Sequence, residues 1–211
     1  MRVHIGINCA TKSDFIKKLK KIHTLFGRRV FLHIDIARKG FASINTAVDA
    51  GALKKINMQA RTTAHVMLPL GLRVPRLFSF PASVLFFHRQ YVRDWKAMAK
   101  KAARHGKKIG LALCVQDTLP AIPKNVGHVL ILTVRPGRSE QLFSEKALPF
   151  IEKVKKTYPS KRLYVDGGIT PFIAKKLARY EIQDIVSTSY VWNASDPREA
   201  LQELARAGIK K

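Results

Sequence analysis

What constrains this chain most is a rhythm. Short apolar runs suited to buried strands alternate, from one end to the other, with longer stretches that repeat apolar residues at helical spacing. Residues 3–8 open the series, and Phe15, Ile16, Leu19, Ile22 and Phe26 mark a first helix that Gly27 closes. Residues 31–35 form a second strand, 46–56 a shorter helix and 62–67 a third strand. Pro69, Gly71, Pro75 and Pro81 then break the pattern, which predicts an irregular connection over 68–81. A fourth strand at 83–88 precedes a helix whose inward stripe is Val92, Trp95, Met98, Ala99 and Ala102. The fifth strand, 108–114, leads into a proline-bounded turn, and the sixth, 128–134, into a helix over 143–154. Strand seven is 162–166, and Thr170-Pro171 suits a helix cap and first turn. Strand eight is 184–187, and Asp196-Pro197-Arg198-Glu199 opens the last helix in capping-box form.

Eight strand-then-helix units in 211 residues, with no second composition zone and no linker, predict an α/β fold: a single (β/α)8 TIM barrel over residues 1–211. A doubly wound open sheet is the alternative, but no G-x-G-x-x-G follows the first strand.

Barrels of this kind place their chemistry at the C-terminal strand ends. His33 and Asp35 are two apart in strand two, so both point to one side of it. An imidazole and a carboxylate leaving an apolar strand must be paired, solvated or bound to a metal. His65 on strand three and Asp166 ending strand seven would join them at the same mouth. Two imidazoles and two carboxylates suit one divalent cation: Zn, Fe, Mn or Co. The plainer alternative is that both aspartates pair with surplus lysines.

That surplus is large: 39 Lys and Arg against 14 Asp and Glu give a formal charge of +25. Such a field attracts anions from sugar phosphates to RNA. It is spread over predicted helix faces, and neither an RNP-like aromatic motif nor a zinc-finger spacing is present. Nucleic-acid contact beyond nonspecific charge attraction is therefore not expected. No apolar run approaches the ~20 residues of a membrane span, which argues against a membrane partner. Cys9 and Cys114 form no ligand-like motif and no secretory cleavage pattern follows Met1, so a cytoplasmic location is the default expectation.

Five motifs follow in order over nearly the full length. They are H-x-D at His33 and Asp35, H-x-M at His65 and Met67, T-V-x-P-G from Thr133 to Gly137, Q-x-F at Gln141 and Phe143, and V-D-G-G-I from Val165 to Ile169. The ordered set resembles the ribulose-phosphate 3-epimerase family. That resemblance implies a metal-dependent epimerase that inverts C3 of a phosphorylated ketose, ribulose 5-phosphate to xylulose 5-phosphate, through an enediolate. It assigns the four metal ligands to His33, Asp35, His65 and Asp166. Asp35 and Asp166 become the catalytic acid and base on opposite faces of the substrate. Met67, Gly167, Gly168 and Ser189 fall at implied substrate-binding positions, the glycines letting a phosphate reach the backbone.

The substrate rim departs from the family. Ala37-Arg38-Lys39 stands in place of M-D-G, Arg138-Ser139-Glu140 in place of a double glycine, Thr188 in place of a glycine and Leu132 in place of a methionine. The N-P-x-T stretch has become Cys114-Val115-Gln116-Asp117, and the first-loop serine has no secure counterpart in residues 8–13. Arg138, Arg38 or Lys39 is expected to grip the phosphate by charge instead. Two other readings stand beside this one: an epimerase of another sugar phosphate such as a hexulose phosphate, and a non-catalytic basic barrel that binds anions or RNA. Association into homo-oligomers is common for such barrels, though no self-complementary patch stands out.

Overall fold

The computed structural model describes residues 1–42, 45–56, 61–69, 77–136 and 141–209. Its eight strands are β1 (Arg2–Ile7), β2 (Phe31–Ala37), β3 (Thr62–Met67), β4 (Val84–His88), β5 (Lys108–Cys114), β6 (His128–Leu132), β7 (Arg162–Asp166) and β8 (Asp184–Ser187). They form a closed parallel barrel in sequence order, with β8 returning to β1. The helices are α1 (Lys12–Phe26), α2 (Ala50–Lys55), α3 (Trp95–Ala103), α4 (Ala147–Thr157), α5 (Pro171–Ala178), α6 (Ser189–Trp192) and α7 (Pro197–Ala207).

The helix ends follow from local chemistry. Thr11 accepts from the Asp14 N–H at the start of α1, and Gly27 closes that helix at a positive φ of 59°. Thr170 accepts from the Ile173 N–H, with Pro171 at the first turn of α5. Several elements differ from the sequence pattern. α2 starts at Ala50 because Asp49 caps it, while Thr46 is drawn to the end of β2: its hydroxyl donates to Asp35 O at 2.7 Å and accepts from the Ala37 N–H at 2.8 Å. β6 stops at Leu132, since Thr133 turns its hydroxyl to the carbonyls of Asp166 and Gly167. α6 is an extra single turn; the β5–β6 passage carries no helix, as its prolines predict, and α4 begins at Ala147 rather than at Phe143. Of the irregular 68–81 connection, the described part holds one 3₁₀ turn at Leu77–Ser79.

Alternation along each strand sorts side chains into two cores. Outward residues such as Ile5, Leu32, Ile34, Val66, Phe87, Ile131 and Val165 pack under Phe15, Leu19, Ile151 and Leu177 of the helices. Inward, Val84, Phe86, Ala112, Leu130, Leu132 and Tyr164 plug the barrel. Gly110 makes that plug fit, because a Cβ there would run into the Phe86 ring. Inward positions beyond the plug are polar at both mouths, which is where chemistry can occur.

Candidate active site and metal centre

β2 and β3 pair with Asp35 opposite His65, so these two side chains stand side by side at the C-terminal mouth. Asp166, the last residue of β7, arrives from across the barrel. One ligand atom from each of His33, Asp35, His65 and Asp166 lies within 4.8 Å of all the others. Asp35 Oδ1 is 3.9 Å from His33 Nε2 and 3.6 Å from His65 Nδ1. Those distances are too long for hydrogen bonds and leave the atoms aimed at a shared space.

The outer contacts decide which imidazole atoms face that space. The Thr63 hydroxyl donates to Leu32 O at 3.3 Å and therefore accepts from His33 Nδ1 at 2.8 Å. His33 Nε2 is left as a lone pair. His65 Nε2 lies 2.9 Å from His88 Nε2, and the tautomer that donates there leaves His65 Nδ1 as a lone pair toward Asp35. Burial pushes His33 well down, His65 down to about 3 and His88 down to about 2, so all three rings are neutral. His65 adds to the shift of His33, and to that of His88. Neutral imidazoles are what a cation requires.

The carboxyls are pushed the other way. Burial raises Asp35 to about 7. Burial and then the nearby Asp35 charge raise Asp166 well above the carboxylate range, against a smaller pull from the Gly167 backbone. Two partly buried acids at one spot resist double ionisation. His33 Nε2 and Asp35 Oδ1 have no hydrogen-bond partner among the described residues. Each such orphan costs about 1–3 kcal/mol, and a dication would offset both costs together with the repulsion. The donor set fits a metal.

Met67 is buried and lines the cavity above this cluster with Leu132, Asn8 and Val134. That cavity holds about 60 Å³ and opens past Gly168, Ile169 and Ser189 into a wider groove of about 600 Å³. Asp196, Glu199 and Glu203 line the groove farther out. The two glycines have a packing reason beyond ligand access. A Cβ on Gly167 would come within 2.6 Å of Val134, and one on Gly168, whose φ is 62°, would collide with the Phe143 backbone. Thr188 occupies the rim where its hydroxyl stands over Gly6, a position a Cβ on Gly6 would close.

Of the cations expected at the rim, Arg38 is committed elsewhere: its Nη1 donates to Ala37 O at 2.8 Å and Thr46 O at 2.7 Å. Lys39 does not line the cavity, and Arg138 lies outside the described residues. The cation that does line it is Arg135, whose backbone is bracketed by the Gln141 amide at 2.8 and 3.2 Å. Sequence reasoning missed Arg135, Asn8 and His88. His88 ends β4, so the strand-end rule that selected the others would have found it.

The family model for the ribulose-phosphate 3-epimerase family matches residues 2–192. The chain belongs to that family. Relatives include the ribulose-phosphate 3-epimerase of Schizosaccharomyces pombe, 29% identical over a 190-residue alignment that covers 85% of this chain and 82% of that protein. The Helicobacter pylori (strain ATCC 700392 / 26695) ribulose-phosphate 3-epimerase is 24% identical over 202 residues, with 91% and 92% covered. Among solved structures, KGPDC from Streptococcus mutans superposes with a TM-score of 0.66 at 11% identity, covering 97% and 95% of the two chains. A 3-hexulose-6-phosphate synthase gives 0.66 at 16% identity, covering 99% and 100%. These structural likenesses show the barrel alone. No helix among the described residues is long and apolar enough to cross a membrane.

Proposed function

We propose that the chain epimerises C3 of ribulose 5-phosphate, with Asp35 and Asp166 as paired base and acid and one divalent cation held by His33, Asp35, His65 and Asp166. The observation that carries this is the pair of orphaned atoms, His33 Nε2 and Asp35 Oδ1, facing two further donors within 4.8 Å inside a chain of this family. The mixed imidazole and carboxylate set suits Zn, Fe, Mn or Co. Such a cation, held by these four residues, would supply positive charge to stabilise the negative charge that develops in the enediolate.

The chain's own residues move the proton. The C3–H bond is acidified by the neighbouring C2 carbonyl. One aspartate removes that proton from one face of C3, leaving a planar enediolate, and the other returns a proton to the opposite face. β2 and β7 bring the two carboxyls from different sides of the mouth, as inversion requires. Without a cation burial raises both carboxyls; in the reaction the member that takes the C3 proton is the base and the one that returns a proton to the other face is the acid. Met67 and Leu132 exclude water beneath the sugar. The phosphate lies toward Gly167, Gly168 and Ser189, with Arg135 in reach of its charge.

Deuterium wash-in at C3 of ribulose 5-phosphate in heavy water tests this. Metal-loaded protein should exchange and invert C3; Asp35→Asn and Asp166→Asn should each stop inversion, and the one that removes the base on the face of the C3 hydrogen should also stop exchange. Absence of exchange with metal shown to be bound would overturn this substrate, and a hexulose phosphate would be the next to try.

A further inference from the structure

The opposite mouth of the barrel carries a second built polar site, which the epimerase reading does not use. A cavity of about 250 Å³ opens there among the first residues of the strands. Its floor is Asp184, 1% exposed, which accepts from Arg162 Nε at 2.6 Å, pairs with His4 Nε2 at 2.9 Å, and lies 3.5 Å from Arg2 Nε. Arg2, Arg61, Lys108 and Arg162 all line the cavity, and among the described residues Asp184 is its one carboxylate. Three positive charges are left over.

The surplus cations are held rather than loose. The Arg2 and Arg61 guanidiniums lie over the Phe31 ring, 5.3 and 5.2 Å from its centre. Arg61 spends one Nη1 donor on Arg29 O at 3.2 Å, which fixes the fork and leaves other N–H groups free. Between Arg162 and Lys108 sits His128, whose Nδ1 is buried without a hydrogen-bond partner among the described residues. Burial, reinforced by Lys108, pushes His128 down to about 4, so its ring is neutral and one nitrogen can donate an N–H.

We infer that this N-terminal mouth binds a small phosphorylated anion, with Arg2, Arg61 and Lys108 countering its charge and His128 donating to it. Four cations against one carboxylate around one concave space, with the His128 ring beside them, call for an oxyanion with several acceptor oxygens. The volume admits one or two phosphoryl groups. The Phe31 ring, covered by two guanidiniums, offers no platform for stacking bases, which argues against single-stranded RNA. The inference is independent of the reaction at the other mouth.

The test is a titration of the full-length, isotope-labelled chain with inorganic pyrophosphate, followed on the imidazole resonances and assigned with His128→Leu. The His128 signal should move and saturate. In the double variant Arg61→Gln/Lys108→Gln, whose two side chains are exposed and safe for folding, half-saturation should need at least about tenfold more ligand. A charge-matched control on α1, Lys20→Gln/Lys21→Gln, should change it less than about twofold. Shifts confined to His33, His65 and His88 would place the anion at the other mouth and overturn the inference. Equal weakening in both double variants would reduce it to general charge attraction and overturn it too. So would an RNA oligomer that shifts His128 and is not displaced by pyrophosphate.

Discussion

The two mouths of this barrel are built from the same strands and treat buried charge in opposite ways. At the N-terminal mouth the carboxylate of Asp184 is surrounded by His4, Arg162 and Arg2, and its hydrogen-bonding capacity is used. At the C-terminal mouth two carboxyls share one space with imidazoles that turn their lone pairs, not their protons, toward them. The first arrangement is complete without a ligand on its acid. The second leaves two orphaned atoms beside a repelled acid pair, a cost that the proposed cation would offset. An apolar plug centred on Phe86 and Tyr164 separates them. For a buried carboxyl, satisfied hydrogen bonds mark structural support, whereas an orphaned oxygen facing an imidazole lone pair marks a place for a cation.

Substitutions can break this contrast. The largest effect belongs to Asp35→Asn and Asp166→Asn, each of which should lower epimerisation by at least about 1,000-fold in a steady-state assay. Because each removes a repelled buried acid, neither should lower the urea midpoint of the metal-free protein. Asp184→Ala should do the reverse, costing about 3 kcal/mol in urea unfolding by leaving His4 and Arg162 uncompensated. Activity per folded molecule should stay within about twofold of the parent. His88→Leu removes the acceptor that orients His65, and should weaken metal affinity about 10- to 100-fold in a chelator competition while turnover at saturating metal falls less. The smallest effect is Gly168→Ala, which should lose about 1–3 kcal/mol in the same urea assay, given its φ of 62° and the Phe143 backbone against it.

How much of this was legible in the sequence depends on whether the cause is local. The strands 62–67, 108–114, 162–166 and 184–187 end where their apolar runs end, because a strand covered on both faces must be apolar throughout. The cluster of His33, Asp35, His65 and Asp166 was legible because strand-end positions in a barrel converge by geometry. α2 was read too long because Thr46 is taken by Asp35 and Ala37, a contact eleven residues back that no periodicity records. Arg38 read as a free cation, yet its guanidinium staples its own loop. Arg135 was hidden inside T-V-x-P-G as the unspecified residue. The N-terminal mouth was not legible at all: His4, His128, Arg162 and Asp184 come from four strands and meet only when the barrel closes. It also gives part of the +25 charge a location.

The most direct test of the central contrast is anomalous scattering from crystals of the full-length protein grown with one equivalent of Zn²⁺ or Co²⁺. A single strong peak is expected among His33 Nε2, His65 Nδ1 and the carboxylates of Asp35 and Asp166. A metal found instead beside His4 and His128, or no peak at either mouth with metal in excess, would contradict it.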